Sequence, residues 1–282
     1  MTLEIITPEE RLSQPRGVHA LVLGPYGIGK TSLVKTLDPS TTLFMDSDEG
    51  DLAIHNVLVP HVRPKTWPEH RDLIVRISGP NPSFGPNEPY SQTHFDRAGG
   101  WLPGIERIRT IVFDSTTASA RACFRHSSMQ PEAFSSAGKS DLRSAYGLHA
   151  REFLLAMHRL HSMRERNLFL TGALETVTDD YGRTVHQLQA EGQRIGREIP
   201  GIVDLVITMN SIDFGDGKPV RAFVCTSPNP WGYPAKDRSG RLDQVEPPDL
   251  GKLIAKILPQ RANHGSGGVE SNGVALNEGQ HS

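Results

Sequence analysis

The 282-residue chain has little cysteine and no long apolar run. Its two cysteines, Cys123 and Cys225, lie far apart and follow no metal-binding spacing, so we expect two reduced, partly buried thiols in a cytosolic protein. No apolar run approaches the length that crosses a bilayer, which predicts no membrane partner. Residues 1–16 carry five charged side chains and no long apolar stretch, so we expect no signal peptide and a cytoplasmic location.

The chain also lacks a strong charge of either sign. Its formal net charge is -2 and its isoelectric point is about 6.6. The overall charge therefore does not indicate a protein that binds polyanions, and any contact with nucleic acid must come from a local patch of positive charge. One such patch is visible, because residues 121–166 contain eight Lys or Arg side chains against four Asp or Glu.

A glycine-rich loop follows the first apolar strand. The run Ala20-Leu21-Val22-Leu23 leads into a segment of the form GxxxxGK[ST], in which glycines allow backbone N–H groups to converge on phosphates. Lys30 is predicted to reach the β- and γ-phosphates and Thr31 to hold Mg²⁺. The predicted nucleotide-binding residues are Gly24, Pro25, Tyr26, Gly27, Ile28, Gly29, Lys30, Thr31 and Ser32. ATP is favoured over GTP, because no NKxD-type guanine-reading segment is present.

Apolar runs and helical patterns alternate along the chain. Strands are predicted at residues 18–23, 42–45, 110–113, 168–171, 202–209 and 220–226. Helices are predicted at residues 31–37, 68–77, 141–163 and 248–257. This alternation predicts an α/β fold with a mostly parallel, twisted sheet covered by helices on both faces, and a ligand at the carboxyl ends of the strands.

Composition divides the chain into three parts. Residues 1–17 are polar and predict an amino-terminal arm, and residues 18–258 form the predicted domain. Residues 78–104 are rich in proline and glycine, so we expect a surface insertion or hairpin outside the core. Residues 259–282 are mostly Gly, Ser and Asn and are expected to be disordered.

Acidic residues follow two of the predicted strands. Asp114 ends the third strand in the pattern of a Walker B element and is a candidate metal ligand, although a helix cap is the alternative. Hydrolysis also needs a group that orients or deprotonates water. The cluster of residues 46–49 is the best source, with Glu49 preferred because it precedes Gly50 and Asp48 as its close competitor; a solvated acidic turn is the alternative.

Two cations lie near the carboxyl terminus, at Lys236 and Arg238. On an extended segment, side chains at positions i and i+2 point the same way. We expect the pair to reach the γ-phosphate of a neighbouring subunit in the manner of an arginine finger, with a solvated basic turn as the alternative.

Taken together, these segments resemble the RecA-like ATPase core, and most of all the small phage-encoded RecA-like proteins associated with single-strand annealing and recombination. The P-loop is common to every P-loop family, whereas the strand followed by DSDEG and the late KxR narrow the resemblance to the RecA and replicative-helicase lineage. The matching stretches cover most of residues 18–257 and read LVLGPYGIGKTSL, TTLFMDSDEGDL, TIVFDST, DLRSAYGLHAREFLLAMHRL, EGQRIGREIPGIVDLVITM and PAKDRSGRLDQVEPPDLGKLIAKI.

The resemblance implies a role for each matching residue. It makes Asp114 the Walker B carboxylate, Glu49 or Asp48 the catalytic carboxylate, and Lys236 and Arg238 the cations that act across a subunit boundary in a ring or filament. Such a protein works in the host cytoplasm if it is encoded by a phage. The chain departs from the family after the fourth strand, where Gln or His is usual; Thr171 and Glu175 are the candidate substitutes for that sensor.

The resemblance also places single-stranded DNA against residues 121–143 and 181–200. Contacts there would be with phosphates, and therefore sequence-blind and sensitive to salt. The alternative is that these cations only solvate helix faces. The candidate DNA-binding residues are Arg121, Arg125, Lys139, Arg143, Arg183, Arg194 and Arg197.

Three functions are compatible with these residues. The leading hypothesis is an oligomeric, Mg²⁺- and ATP-dependent ATPase that handles single-stranded DNA in phage recombination, annealing or replication. The second is a nucleotide-binding annealing or loading factor with little hydrolysis, which works by avidity along a strand. The third is another P-loop motor or a small-molecule kinase, although the sequence shows no arginine-rich lid for a kinase.

Overall fold

The computed structural model describes residues 5–178 and 181–258, in which strands of a largely parallel sheet alternate with helices. The strands are β1 (His19–Gly24), β2 (Thr42–Asp46), β3 (His61–Val62), β4 (Thr110–Asp114), β5 (Asn167–Thr178), β6 (Thr184–Leu188), β7 (Leu205–Ile212), β8 (Val220–Val224), β9 (Lys236–Asp237) and β10 (Val245–Glu246). The helices are α1 (Pro8–Ser13), α2 (Trp67–Ser78), α3 (Gln92–Arg97), α4 (Thr116–Ser127), α5 (Leu142–His161), α6 (Gln193–Ile202) and α7 (Leu250–Ile257).

The strands lie in the order β10-β8-β7-β1-β5-β4-β2-β3. Parallel pairing joins β7, β1, β5, β4, β2 and β3, whereas β8 and β10 are antiparallel at one edge. In addition, β6 forms an antiparallel hairpin with β5, and β9 pairs with the start of β7. One strand, β5, lies between β1, which leads into the glycine-rich loop, and β4, which ends in the predicted Walker B residue Asp114.

The parallel strands β1, β2 and β4 are buried on both faces along their whole length. Leu21 and Leu23 of β1 pack in one core with residues of α2, α4, α5 and α6, whereas Ala20 and Val22 pack in a second core with α7. Burial on both faces explains why these strands read as continuous apolar runs. The predicted α/β class, with a mostly parallel sheet covered on both faces, is confirmed.

The strand register brings the carboxyl ends of four strands to one edge. Val22 of β1 is level with Thr171 of β5, and Asp46 of β2 is level with Asp114 of β4. The segments that follow these strands therefore converge where α/β proteins bind their ligands.

The predicted helix at residues 31–37 has a different form. It is a 3₁₀ helix over Thr31–Thr36, in which the Leu33 backbone N–H donates to the Lys30 carbonyl over 3.1 Å. Its β-branched residues lower the helix propensity, and Pro39 begins the next turn three residues after the helix ends at Thr36.

The expectation that residues 78–104 lie outside the core is wrong. Tyr90 is fully buried and Phe95 nearly so, in the same core as α2 and α5. The segment folds back on α2, where the Leu102 backbone N–H donates to the Arg76 carbonyl over 3.0 Å. Proline and glycine form its turns, and the aromatic side chains between them supply the core contacts.

Besides the short elements α1, α3, β3, β9 and β10, the predictions have no counterpart for α4, for α6 and for β6 with its hairpin to β5. Small and polar residues dominate α4, so it has no clear helical apolar pattern. α6 does carry Ile195, Ile199 and Ile202 at helical spacing, but Gly196, Pro200 and Gly201 lower its helix propensity. The predicted strand at residues 202–209 starts inside α6, and the strand itself begins at Leu205.

The ends of the chain are only partly described. Of the expected arm, residues 5–17 are described; α1 begins at a capping box formed by Thr7 and Glu10 and buries none of its residues. The expected disordered segment, residues 259–282, lies outside the described residues. Within residues 5–178 and 181–258, no helix combines the length and apolarity needed to cross a bilayer.

Two histidines meet near the start of β1. The Nδ1 atoms of His19 and His161 are 2.8 Å apart, and His19 Nε2 lies 3.0 Å from the Arg166 carbonyl oxygen. Because a carbonyl only accepts, His19 Nε2 carries the proton and His161 Nδ1 donates to His19. Burial, reinforced by His19, lowers the pKa of His161 to about 4.

We expect the free energy of unfolding to decrease as the pH falls from 6.5 towards about 4. Over that window the unfolded chain binds a proton at His161 and the folded chain does not. Urea unfolding above and within the window measures the effect. The pH dependence should be smaller in His161→Gln and unchanged in His158→Gln, which alters an exposed histidine of the same helix. Equal pH dependence in wild type and His161→Gln would contradict this assignment.

Candidate nucleotide-binding site

The loop after β1 depends on two glycines. Gly27 and Gly29 have φ angles of 77° and 104°, in the left-handed region that other residues rarely adopt. The loop borders a cavity of about 320 Å³ at the carboxyl edge of the sheet. Of the predicted loop residues, those that line the cavity are Tyr26, Gly27, Gly29, Lys30, Thr31 and Ser32, whereas Gly24, Pro25 and Ile28 do not.

Lys30 is the only lysine among the residues that line this cavity. Its Nζ donates to the carbonyl oxygens of Gly24 and Pro25, over 2.8 and 3.0 Å. Burial lowers the pKa of Lys30, and the neighbouring Asp114 and Asp48 oppose that shift. A phosphate would replace weak carbonyl acceptors with an anionic one, so binding it relieves a partly desolvated cation.

Asp114 ties the loop to the middle of the sheet. Its Oδ2 accepts a hydrogen bond from Thr31 Oγ1 over 2.6 Å, and its Oδ1 accepts from Thr171 Oγ1. Burial raises the pKa of Asp114, and the hydrogen bonds from Thr171 and Thr31 oppose the rise. Thr171, a candidate sensor, therefore contacts Asp114, the predicted Walker B carboxylate.

The structure separates the two candidates for the catalytic carboxylate. Asp48 lines the cavity, and its Oδ2 accepts from Ser115 Oγ over 2.6 Å. Glu49 does not line the cavity; its side chain is 68% exposed and lies 3.9 Å from Lys65 Nζ. The φ angle of Glu49 is 53°, and this left-handed turn sends the two neighbouring side chains in different directions.

The hairpin of β5 and β6 contacts the glycine-rich loop through Gln189. The Tyr26 hydroxyl donates to Gln189 Oε1 over 2.5 Å, and the Thr117 hydroxyl donates to the Gln189 carbonyl over 2.9 Å. Glu175, the other candidate sensor, accepts instead from Gln187 Nε2 over 2.8 Å, farther along the hairpin. Sequence patterns gave no signal for Gln189, because its position depends on the hairpin.

Arg221 of β8 is a second residue that the sequence did not single out. Its Nη1 donates to the Ile28 carbonyl over 3.4 Å, and a Cβ built on Gly29 would lie 2.7 Å from the same nitrogen. A cation therefore lies against the outer side of the loop. The absence of a side chain at Gly29 makes room for it.

Lys236 and Arg238 lie at the opposite edge of the sheet. Lys236, in β9, pairs with Val206 near the start of β7. Val206 is level with Leu21 of β1, two residues before Leu23. Lys236 Nζ donates to the carbonyls of Pro200 and Val203, each over 2.7 Å, at the end of α6. Neither cation reaches the cavity of its own subunit, so any action on a nucleotide must cross a subunit boundary.

The candidate DNA-binding cations are exposed but not all on one surface. Arg121 of α4 lines the nucleotide cavity, and Arg125 follows one turn later. Lys139 and Arg143 lie before and in the first turn of α5. The hairpin carries Arg183, and α6 carries Arg194 and Arg197; Arg194 pairs with Glu198 over 2.6 Å. Arg121 therefore has a position that also suits contact with a nucleotide.

The donor set fits Mg²⁺ and a triphosphate. Thr31 and Asp114 present a hydroxyl and a carboxylate, and oxygen ligands of this kind are those that Mg²⁺ prefers beside phosphates. Among the residues that the structure describes, no cluster of three or more His, Cys, Asp or Glu side chains is arranged to hold a metal by itself. A metal bound by Thr31 and Asp114 would therefore also need oxygen ligands from the phosphates of the nucleotide.

The strand, the glycine-rich loop and the Thr31–Asp114 pair at the edge of a parallel sheet define a P-loop nucleotide-binding protein. The chain belongs to the AAA domain family, whose model matches residues 16–239. No curated protein matches the chain.

Solved structures resemble the chain at low sequence identity. One is the RadB recombinase, with 15% identity and a TM-score of 0.37, covering 74% of this chain and 80% of that one. Another is the flagellar accessory protein FlaH from Methanocaldococcus jannaschii, with 9% identity and a TM-score of 0.35, covering 79% of this chain and 84% of that one.

We expect ATP with Mg²⁺ to raise the thermal midpoint of the wild type and to have no such effect on Lys30→Ala. Ligand at about 100 times its Kd adds about 2.7 kcal/mol to the free energy of unfolding. The matched control is Lys35→Ala, which removes an exposed lysine of the same 3₁₀ helix and should respond like the wild type. Equal stabilisation of Lys30→Ala by ATP would contradict the site.

Proposed function

We propose that this protein is a Mg²⁺-dependent ATPase that binds single-stranded DNA and assists phage-type recombination, annealing or replication. The observation that carries the proposal is the convergence of Lys30, Thr31, Asp48 and Asp114 on one cavity at the carboxyl edge of the sheet. These residues provide the phosphate-binding cation, the metal ligands and the carboxylate that phosphoryl transfer to water requires.

Hydrolysis assigns a distinct task to each side chain. Lys30 exchanges its bonds with the loop carbonyls for bonds with the β- and γ-phosphates. Asp48 accepts a proton from the attacking water. Ser115 orients the Asp48 carboxylate by donating a hydrogen bond to its Oδ2 over 2.6 Å. Thr31 and Asp114 would hold Mg²⁺, which would supply neutralising charge beside the phosphate oxygens.

The opposite edge of the sheet supports a head-to-tail assembly. A cavity of about 510 Å³ there is lined by four arginines, Arg11, Arg16, Arg238 and Arg241, against one carboxylate, Asp204. The nucleotide cavity of the next subunit would present two aspartates and a triphosphate, which is the complementary charge. Contacts between two different surfaces generate rings or filaments. Both cations have acceptors within their own chain, since Arg238 donates to the Gly201 carbonyl over 3.1 Å and lies 3.6 Å from Asp204. Arg238 is the better candidate for the cation that acts in trans, because its side chain is 52% exposed whereas Lys236 is half-buried.

Coupling to DNA would run through the hairpin of β5 and β6. Gln189 contacts Tyr26 of the loop, and its backbone is tied to Thr117 of α4. Movement of the loop on ATP binding therefore has a direct route to the segments expected to contact DNA. A ligand shifts such an equilibrium only as far as it prefers one arrangement over the other.

We expect the ATPase rate of Asp48→Asn to be at least about 100-fold lower than that of the wild type, because it lacks the general base. Glu49→Gln should stay close to the wild type. Turnover is measured with and without single-stranded DNA at low and high salt, together with particle size by light scattering. In the wild type, DNA should increase the rate and the particle size, and both effects should weaken with salt.

Several outcomes of the same assay would contradict the proposal. Indifference of rate and particle size to DNA would remove the DNA-dependent function. ATP binding without turnover in the wild type would favour the annealing or loading factor. A large loss of rate in Glu49→Gln with full activity in Asp48→Asn would exchange the roles of these two carboxylates.

A further inference from the structure

A second cavity, of about 560 Å³, lies between the start of α5, the hairpin of β5 and β6 and the start of α6. The cavity residues that carry the argument are Tyr146, His149, Glu175, Gln187, Glu191 and Gly192. It shares no lining residue with the nucleotide cavity, yet Ala190 on its wall directly follows Gln189, which contacts the glycine-rich loop. We infer that this cavity binds a nucleobase of single-stranded DNA, an inference that rests on the proposed function.

One wall of the cavity provides a fixed aromatic surface. The Tyr146 ring is 40% exposed and stacks on Phe124, with 4.5 Å between ring centroids and an angle of 24° between the planes. Gly192 passes close to it, since a Cβ built there would lie 3.3 Å from the Tyr146 ring. A ring that is held by a second ring and remains partly open is suited to stack on a base.

The polar groups of the cavity fit a base better than a phosphate. Glu175 and Glu191 line the cavity together with one cation, Arg194, which pairs with Glu198 over 2.6 Å. The two carboxylates therefore disfavour an anion inside the cavity. Carboxylates accept hydrogen bonds from the amino groups of bases. Gln187 Nε2 already donates to Glu175 Oε1 over 2.8 Å, which fixes the orientation of this carboxylate.

His149 forms part of the inner wall of the cavity. The residue is fully buried, and its Nε2 lies 2.9 Å from the Glu191 carbonyl oxygen. A carbonyl only accepts, so Nε2 carries the proton and Nδ1 is an acceptor. That Nδ1 is buried without a hydrogen-bond partner among the described residues. Because this nitrogen has almost no accessible surface, it belongs to the packed wall of the cavity and is not itself a contact for the base.

The rim of the cavity suits the phosphates on either side of a bound base. α6 begins at Gly192 with no side-chain cap, so its first backbone N–H groups are available to an anion. Arg194 lies in the first turn of α6, and Arg143 lies three residues before Tyr146 in α5. The acidic interior and the basic rim together favour a nucleotide within a strand, with its base inside and its phosphates outside.

The test is equilibrium binding of a fluorescent single-stranded oligonucleotide, measured by anisotropy over a range of salt concentrations. Tyr146→Ala should weaken binding about tenfold or more, because stacking on one base is lost. The slope of log K against log salt should not change, because no phosphate contact is removed. Tyr146→Phe keeps the ring and should bind like the wild type.

Two controls make the effect specific. An oligonucleotide with abasic sites should bind equally to the wild type and to Tyr146→Ala, because it has no bases to stack. Phe214→Ala removes an aromatic side chain that is 61% exposed elsewhere on the surface and should leave binding unchanged. Stabilisation of Tyr146→Ala by ATP, equal to that of the wild type, shows that the variant is folded.

The outcomes separate this inference from the proposed function. If the wild type binds single-stranded DNA and Tyr146→Ala binds it equally well, the base site is overturned and the proposed function stands. An equal loss of affinity for the abasic oligonucleotide also overturns it, because the effect would not require a base. If the wild type binds no single-stranded DNA, the proposed function and the base site fail together.

Discussion

The hydrogen bond between Thr31 and Asp114 is the contact on which the site depends. It joins the end of the glycine-rich loop to the end of β4, across the intervening β5. Thr171 of β5 donates to the other oxygen of the same carboxylate, so three neighbouring strands meet at one buried acid. A carboxylate this deeply buried is stable in its charged form only with such donors, or with a metal ion in their place.

The two edges of the sheet differ in charge, and this difference organises the proposed assembly. The carboxyl edge holds the carboxylates of Asp48 and Asp114 beside Lys30, whereas the amino edge holds the arginine-lined cavity. Lys30 and Arg121 balance the two aspartates in the lining of the nucleotide cavity, so a bound triphosphate would give this edge its negative charge. Electrostatic complementarity between the edges fixes the orientation in which two subunits meet more than it adds affinity.

Local patterns predicted the site where its chemistry is local in sequence. The loop and Asp114 each follow a buried strand, so the strand pattern alone places them at the same edge. Which of Asp48 and Glu49 faces the cavity depends on the φ angle of Glu49, and neither composition nor spacing predicts that angle. Gln189 and the partners of Lys236 were equally hidden, because they depend on a hairpin and on a helix end distant in sequence. Residues 78–104 show the opposite error, since their turn-rich composition concealed the buried Tyr90.

The position of the metal tests the central claim most directly. Crystals grown with Mn²⁺ and a non-hydrolysable ATP analogue would locate the ion by its anomalous scattering. We expect the peak within bonding distance of Thr31 Oγ1, beside Asp114, with the triphosphate against Lys30. A metal and triphosphate bound elsewhere on the molecule, with the Thr31–Asp114 hydrogen bond intact, would contradict the site.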